Sequence, residues 1–266
     1  MTPFAFHRPA SQAAALQLHR AGGDARYLAG GQSLLPTMKL GLAAPSDLID
    51  LSLLPGANAI AVEADALRIG AMTPHAVVAA SAEVRRYIPA LAALAEGIGD
   101  PAVRTRGTIG GSLAQNDPAA CCPAAVLGLG ATVLTDRRRI AADDFFKGLY
   151  ETALEPGELI TALSFPIPQR AAYVKFKQPA SRFALVGVFV SQGPDPRSST
   201  RVAVTGAGPC VFRVGAFEAA LAKDWSAQAL AGLAVPADGL NTDLHAGAAY
   251  RAHLIGVLAR RAVAAA

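Results

Sequence analysis

Cysteine is scarce in this sequence, with three residues (Cys121, Cys122 and Cys210) among 266. A disulfide framework needs several spaced pairs, and an iron–sulfur cluster needs four thiolates. The five histidines show no metal-ligand spacing, such as two in one helical turn with a carboxylate. The sequence therefore predicts no disulfide framework, no cluster and no metal site of its own.

Long hydrophobic runs are also missing. The longest uncharged apolar run covers residues 119–134, only 16 positions, and it contains Pro123, Gly128 and Gly130. A membrane-spanning helix needs about 20 apolar residues, so this run predicts a buried helix that leads into a strand. The first eight residues lack the apolar core of a signal peptide. We expect a soluble, cytoplasmic protein without a membrane span.

The sequence also lacks a strong excess of positively or negatively charged residues. The net charge is +4, and no Lys/Arg run is longer than Arg137–Arg139. This balance gives little support to a nucleic-acid partner. The arginine triplet is typical of a solvated turn between strands, with a subunit contact as the alternative. With 52% hydrophobic residues, 17% charged residues and this length, the chain predicts one large or two medium globular domains.

What the sequence does have is two adjacent-glycine pairs in matching contexts. Gly110-Gly111 follows Ile109 within residues 104–112, and Gly30-Gly31 follows a short apolar strand and precedes Ser33. Glycines let backbone amides approach a ligand closely, and successive amides form a concave anion site. Two such loops predict a grip on a diphosphate from both sides. Asp117-Pro118 after the second pair predicts a capped helix start.

The remaining patterns predict alternating helices and strands with a change near residues 167–171. Before that boundary we expect helices at 11–21, 33–40, from 73, 83–96 and from 118, with Ser11 and Ser33 as caps of the first two. We expect strands at 25–29, 47–51, 59–63, 66–71, 131–135, 139–141 and 158–165, with a hairpin turn at Ala64-Asp65. Beyond it we expect strands at 172–178, 184–191 and 201–208, then helices at 214–222, 226–233 and 243–264.

Residues 29–39 and 104–112 closely resemble the two flavin-binding loops of one family. It is the FAD-binding (medium) subunit of the xanthine dehydrogenase and aerobic carbon monoxide dehydrogenase group, the molybdenum hydroxylases. Segments 100–103, 177–188 and 205–207 also resemble the family, so the likeness spans nearly the whole chain. The two loops in this order are specific, whereas either alone is a weak signal.

The resemblance implies an α+β fold in two parts. Residues 1–170 would form a vanillyl-alcohol-oxidase-like (PCMH-type) FAD-binding domain, with subdomains of about 1–55 and 56–170. Residues 171–266 would form a C-terminal domain with an antiparallel sheet and helices. In the family this subunit belongs to a heterotrimer with a molybdopterin-containing large subunit and a small [2Fe–2S] subunit. Electrons pass from the clusters to FAD and then to an external acceptor.

Carried over residue by residue, the resemblance implies FAD-binding positions and no catalytic residue. Ile160 and Lys177 fall at the flavin end, Ile98 at an apolar contact, and Cys121 where many relatives have a carboxylate that bonds the adenosine ribose. The alternatives are an exposed strand lysine for Lys177 and plain core for the other three. The diphosphate and adjacent groups would be lined by Ala29, Gly30, Gly31, Gln32, Ser33, Leu34, Thr108, Ile109, Gly110, Gly111 and Ser112.

Two other functions remain open at this point. One is a self-sufficient FAD-dependent oxidoreductase of related fold, although no acid–base or nucleophile constellation stands near the loops, and His75 is typical of a helix start. The other is a structural partner subunit that has lost its flavin, suggested by Cys121 and Ser112 at positions where relatives differ. The substrate of the whole complex and the identity of the electron acceptor are not encoded in these motifs.

Overall fold

The computed structural model describes residues 2–266 and begins with a small parallel sheet. Its elements are β1 (Ala5–His7), α1 (Gln12–Ala21), β2 (Ala25–Leu28), α2 (Leu34–Lys39) and β3 (Asp47–Asp50). The strands pair in the order β1-β3-β2. Ser11 caps α1 as predicted, because its hydroxyl accepts a hydrogen bond from the amide of Ala14 at 3.2 Å. The first glycine pair lies between β2 and α2, at the carboxyl end of a strand in this sheet.

An antiparallel hairpin and six short helices follow. The predicted single helix over 83–96 is wrong, because Pro89 has no amide N–H and interrupts the helical ladder. Ile88 before it has a φ of −140°, outside helical geometry. The elements are β4 (Ile60–Glu63), β5 (Ala66–Gly70), α3 (His75–Ala80), α4 (Ala82–Tyr87), α5 (Pro89–Glu96), α6 (Pro101–Arg106), α7 (Ile109–Gln115) and α8 (Cys122–Gly128).

The predicted helix start at Asp117-Pro118 is also wrong, since α8 begins at Cys122. The Asp117 carboxylate accepts a hydrogen bond from the amide of Ala119 at 2.8 Å, which closes a local turn instead of capping a helix. The carbonyl of Pro118 accepts from the amide of Gly206 at 2.7 Å. This segment is therefore held as a turn against the C-terminal part of the chain.

A five-stranded antiparallel sheet completes the middle of the molecule. Its strand order is β4-β5-β10-β6-β7. The added elements are β6 (Thr132–Thr135), β7 (Arg139–Ala141), α9 (Ala142–Phe145), β8 (Phe146–Gly148), β9 (Glu151–Thr152) and β10 (Ile160–Pro166), with β8 and β9 forming a separate pair.

The C-terminal part is an antiparallel sheet with the order β11-β12-β13-β14. The predicted helix over 226–233 is reduced to a 3₁₀ turn at Gln228–Leu230, and the last helix begins at Ala248 instead of 243. The elements are β11 (Arg170–Lys177), β12 (Ala184–Gln192), α10 (Pro196–Ser199), β13 (Arg201–Thr205), β14 (Phe212–Arg213), α11 (Gly215–Leu221) and α12 (Ala248–Ala265).

Strand β12 lies at the centre of the packing, and all nine of its residues are buried. Side chains alternate across a strand, so its two faces enter different cores. Val186, Val188 and Val190 pack in the core that α12 covers. Phe189 packs in the large core of the middle part, with α5 and α8. The C-terminal sheet therefore shares a hydrophobic core with the elements that precede residue 170.

In the part of the chain that the structure describes, no helix has the length and apolar character needed to cross a membrane.

Candidate cofactor-binding site

A cleft of ≈ 1050 Å³ runs along both glycine segments. Its walls come from the small parallel sheet, the middle part, strand β11 and the connection between β11 and β12. Thirteen of the fifteen residues predicted to bind cofactor line it: Ala29, Gly30, Gly31, Gln32, Ser33, Leu34, Ile98, Thr108, Gly110, Gly111, Ser112, Cys121 and Ile160. Its volume is at the upper end of the range typical of small-molecule and cofactor pockets.

The first glycine segment offers a run of unpaired backbone donors. Within residues 2–266, the five amides from Gly30 to Leu34 donate no hydrogen bond. Gly31 has a φ of +71°, a left-handed conformation that glycine adopts without a steric penalty. Ser33 precedes α2, but its side chain makes no capping bond, contrary to the expected cap. Successive free amides at the wall of a cleft are suited to an anionic group such as a phosphate.

The second glycine segment differs, because its amides are already used. Gly110 and Gly111 lie in the first turn of α7 and not in an open loop. The amide of Gly110 donates to the carbonyl of Ala71 at 2.8 Å, and that of Gly111 donates to Thr108 Oγ1 at 3.1 Å. The prediction of two equivalent amide cradles is therefore wrong for this segment. What it brings to the cleft is the hydroxyl groups of Thr108 and Ser112.

Close packing explains the glycines at two of these positions. A Cβ on Gly30 would overlap the backbone carbonyl of Arg106, so the two glycine segments touch each other there. A Cβ on Gly110 would lie 2.5 Å from the Cβ of Ala71 and 2.7 Å from its carbonyl oxygen. A side chain at Gly110 would therefore press into the body of the protein. The sequence pattern had suggested instead that this glycine leaves room for the ligand.

Two predicted contacts are not brought to the cleft. Ile109 is 1% exposed and packs in the large core, because it is the first residue of α7 and faces inward. Lys177 is exposed at the end of β11, after a register shift between Phe176 and Lys177. The extra residue of this shift, Leu185, lies in β12, so Lys177 is exposed because it is the last residue of β11. Lys175, two residues earlier, lines the cleft instead.

Lys175 and Cys121 meet at the wall of the cleft. The ammonium Nζ of Lys175 donates to the carbonyl of Gly97 at 2.7 Å and to Cys121 Sγ at 3.3 Å. Cys121 is 5% exposed, so its thiol is both core-like and cleft-lining. Sequence reasoning missed Lys175, because the lysine two positions away was the one that matched the resemblance. The sequence does not mark that β11 ends at Lys177, beyond the residues that line the cleft.

The buried histidine and thiol behind the second glycine segment are both neutral near pH 7. Burial lowers the pKa of His75 to about 4. Burial also raises the pKa of the Cys122 thiol to about 12. His75 Nδ1 lies 3.8 Å from Cys122 Sγ, too far for strong proton exchange between them. This pair therefore does not supply a general base or a thiolate nucleophile.

A pair of rings, His19 and Tyr27, also lines the cleft, and sequence reasoning missed both. The ring of His19 lies 4.7 Å from that of Tyr27, tilted by 31°. The Tyr27 hydroxyl donates to the carbonyl of Gly157 at 3.2 Å, and burial raises its pKa to about 12. Beside it, the Arg138 guanidinium holds the pKa of Glu158 down at about 2. The signal in the sequence for these rings was their nearness to the first loop.

Among residues 2–266, no group of three or more His, Cys, Asp or Glu side chains is placed to hold a metal ion.

The two glycine segments meet at a cleft of cofactor size, and the first of them offers free backbone donors. The family described as the FAD binding domain in molybdopterin dehydrogenase matches residues 2–168. The chain belongs to this family. It is an FAD-binding oxidoreductase subunit of the molybdenum hydroxylases, and its α+β fold is the one the sequence predicted.

Whole-chain comparisons agree with the family assignment. The chain is 36% identical to the nicotine 6-hydroxylase medium subunit of Paenarthrobacter nicotinovorans, over 96% of this chain and 94% of that one. It is 35% identical to the carbon monoxide dehydrogenase medium chain of Hydrogenophaga pseudoflava, over 99% and 96%. The structure of reconstituted CO dehydrogenase from Oligotropha carboxidovorans matches with a TM-score of 0.89 at 33% identity, over 98% and 96%.

Proposed function

We propose that this chain is the electron-transferring flavoprotein subunit of a larger molybdenum hydroxylase. Electrons would arrive from the [2Fe–2S] clusters of a small subunit and leave to an external acceptor, while a molybdopterin-containing large subunit oxidises the substrate. Relatives named as a medium subunit and a medium chain support this division of labour. The observation that carries the proposal is the row of free amides from Gly30 to Leu34 at the wall of the cleft.

The residues present fit FAD. The amides of Gly30–Leu34 would hold the diphosphate, since unpaired N–H donors at the start of a helix favour phosphate. The hydroxyls of Thr108 and Ser112 would add side-chain donors, and Ile98 and Ile160 would give apolar contacts. When bound, FAD supplies redox chemistry by taking up electrons singly and giving them up in pairs. The chain itself binds and orients the cofactor.

The self-sufficient oxidoreductase is the weaker alternative. Oxidation of a substrate at flavin commonly needs a group that takes up a proton near neutral pH. The His75 imidazole and the Tyr27 phenol, which both line the cleft, have pKa values of about 4 and about 12. Neither of these groups changes protonation near pH 7, and burial lowers the pKa of His19, the other imidazole that lines the cleft. The site therefore favours binding and electron transfer over substrate chemistry of its own.

A rapid-mixing experiment tests the electron path. The small [2Fe–2S] subunit is reduced, freed of excess reductant and mixed with the FAD-loaded chain. We expect the flavin absorbance to bleach as the cluster absorbance recovers. The apo chain serves as the control and leaves the clusters reduced. A flavin that stays oxidised beside reduced clusters would show that the proposed path is wrong.

A further inference from the structure

Lys175 brings a positive charge to the wall of the cleft without a carboxylate to neutralise it. Its side chain is partly buried, and Nζ donates to the Gly97 carbonyl at 2.7 Å and to Cys121 Sγ at 3.3 Å. Within residues 2–266, no carboxylate oxygen lies within 4.0 Å of this nitrogen. An ammonium has three N–H donors, so one remains for a ligand.

Two titratable side chains near Lys175, those of Tyr173 and Cys122, are neutral near pH 7. Burial, more than the neighbouring Cys121, raises the pKa of Tyr173 well above its usual value, and the buried hydroxyl of this tyrosine has no partner in the described chain. Cys122 is likewise protonated at neutral pH, with a pKa of about 12. A partly buried cation among neutral groups is costly unless an anion joins it. Neither Tyr173 nor Cys122 therefore supplies a negative charge to offset the Lys175 ammonium.

We propose that Lys175 is an electrostatic contact for the diphosphate of bound FAD, held in position by the Gly97 carbonyl and the Cys121 thiol. The inference rests on the proposed function of the cleft. The diphosphate is the charged group of this cofactor, and the free amides of Gly30–Leu34 line the same cleft. Attraction between the ammonium and the diphosphate would be strengthened by the partly buried setting.

A purely structural role for Lys175 is the competing explanation. Gly97 is the C-cap of α5, and a cation near the C-terminus of a helix interacts favourably with the helix dipole. On that explanation, loss of the charge would lower the unfolding temperature of the apo-protein and leave its affinity for nucleotides unchanged. On our proposal, the affinity for nucleotides that carry the diphosphate changes.

The two explanations separate when ADP and adenosine are titrated into the apo-protein by calorimetry. We expect Lys175→Met to weaken ADP binding by roughly tenfold or more and to leave adenosine binding unchanged. Added salt should weaken ADP binding to the wild type more than to the variant. The matched control is Lys223→Met, which removes one positive charge at an exposed position outside the cleft.

Each other outcome has a defined meaning. Unchanged ADP affinity in Lys175→Met, with or without a lower unfolding temperature, overturns the proposal. Equal losses for ADP and adenosine would place the lysine at the ribose and overturn it as well. A wild type that binds neither ADP nor FAD would instead contradict the proposed function of the cleft.

A second pair of variants keeps the lysine and changes its partner, in case Lys175→Met does not fold. Cys121→Asp places a carboxylate beside the ammonium and neutralises it, whereas Cys121→Asn has nearly the same size without the charge. We expect ADP to bind at least tenfold more weakly to the aspartate variant than to the asparagine variant. The ribose contact inferred from the family resemblance predicts the reverse. Tighter binding to Cys121→Asp would therefore overturn the proposal.

Discussion

At the scale of single residues, His75 makes the stability of the protein depend on pH. Its pKa is about 4 in the folded protein and 6.5 in the unfolded chain, because burial disfavours the charged form. The unfolded state therefore binds a proton first as the pH falls. The stabilisation is complete above pH 6.5 and is lost progressively as the pH falls towards 4. The difference amounts to about 3 kcal/mol of unfolding free energy.

Denaturant unfolding of the apo-protein at a series of pH values checks this prediction. His75→Gln should lose less stability than the wild type between pH 6.5 and 4, since the titrating group is gone. His253→Gln is the control, because His253 is exposed on α12. Identical pH profiles for the wild type and His75→Gln would contradict the burial argument.

Predictions for single residues succeeded where the path of the backbone alone places the residue at the cleft. Both glycine segments lie at the cleft, because close backbone approach requires glycine there. The prediction failed for Lys177, because it is the last residue of β11 and lies exposed beyond the residues that line the cleft. The roles of the two segments also differ, since partners of the amides come from distant residues such as Ala71. The residues around each glycine pair do not indicate such distant hydrogen-bond partners.

At the scale of elements, the contact between the two glycine segments should control cofactor binding. In Gly30→Ala the new Cβ would overlap the carbonyl of Arg106 and push the loop before α2 away from the end of α6. We expect a loss of roughly 1–3 kcal/mol in unfolding free energy, together with weaker FAD binding. Gly215→Ala is the control, because a Cβ there meets no atom within 4 Å. Flavin content after gel filtration and thermal unfolding of both variants provide the measurement, and equal values for the two would refute the steric argument.

Sequence patterns predicted most elements, and the failures have local causes. The cap at Ser11 and the hairpin around Ala64-Asp65 were predicted correctly, because both depend on residues that are neighbours in the sequence. The helix expected over 83–96 divides at Pro89, because its missing N–H outweighs the helical pattern of the residues around it. Asp117 closes a turn because the segment is tied to Gly206 nearly ninety residues later, a tertiary contact that outweighs the cap signal.

At the scale of the whole molecule, the cleft and the core both extend beyond the segment that the family match covers. The match ends at residue 168, whereas Lys175, Ser181 and Phe183 line the cleft. Phe189 packs fully buried in the core of the middle part, and a Cβ on Gly128 of α8 would lie 2.7 Å from its ring. The sequence placed a domain boundary near residue 170 from a change in pattern alone, which does not reveal a shared core.

The shared core leads to a prediction for the isolated FAD-binding part. A chain that ends at residue 170 would lose the wall formed by β11 and the β11–β12 connection, and it would leave the apolar surface that buries Phe189 exposed to water. Removing one buried phenylalanine side chain costs about 3–5 kcal/mol, and this truncation removes a whole packed sheet. We therefore expect residues 1–170 alone to aggregate or to bind FAD at least tenfold more weakly than the full chain.

Co-expression of residues 171–266 as a separate chain should restore binding, because the two parts meet through packing and through the bidentate pair between Arg201 and Asp143. Flavin absorbance after purification and titration with FAD provide the measurement. A soluble 1–170 fragment with the full chain's affinity would show that the first part folds and binds its cofactor independently.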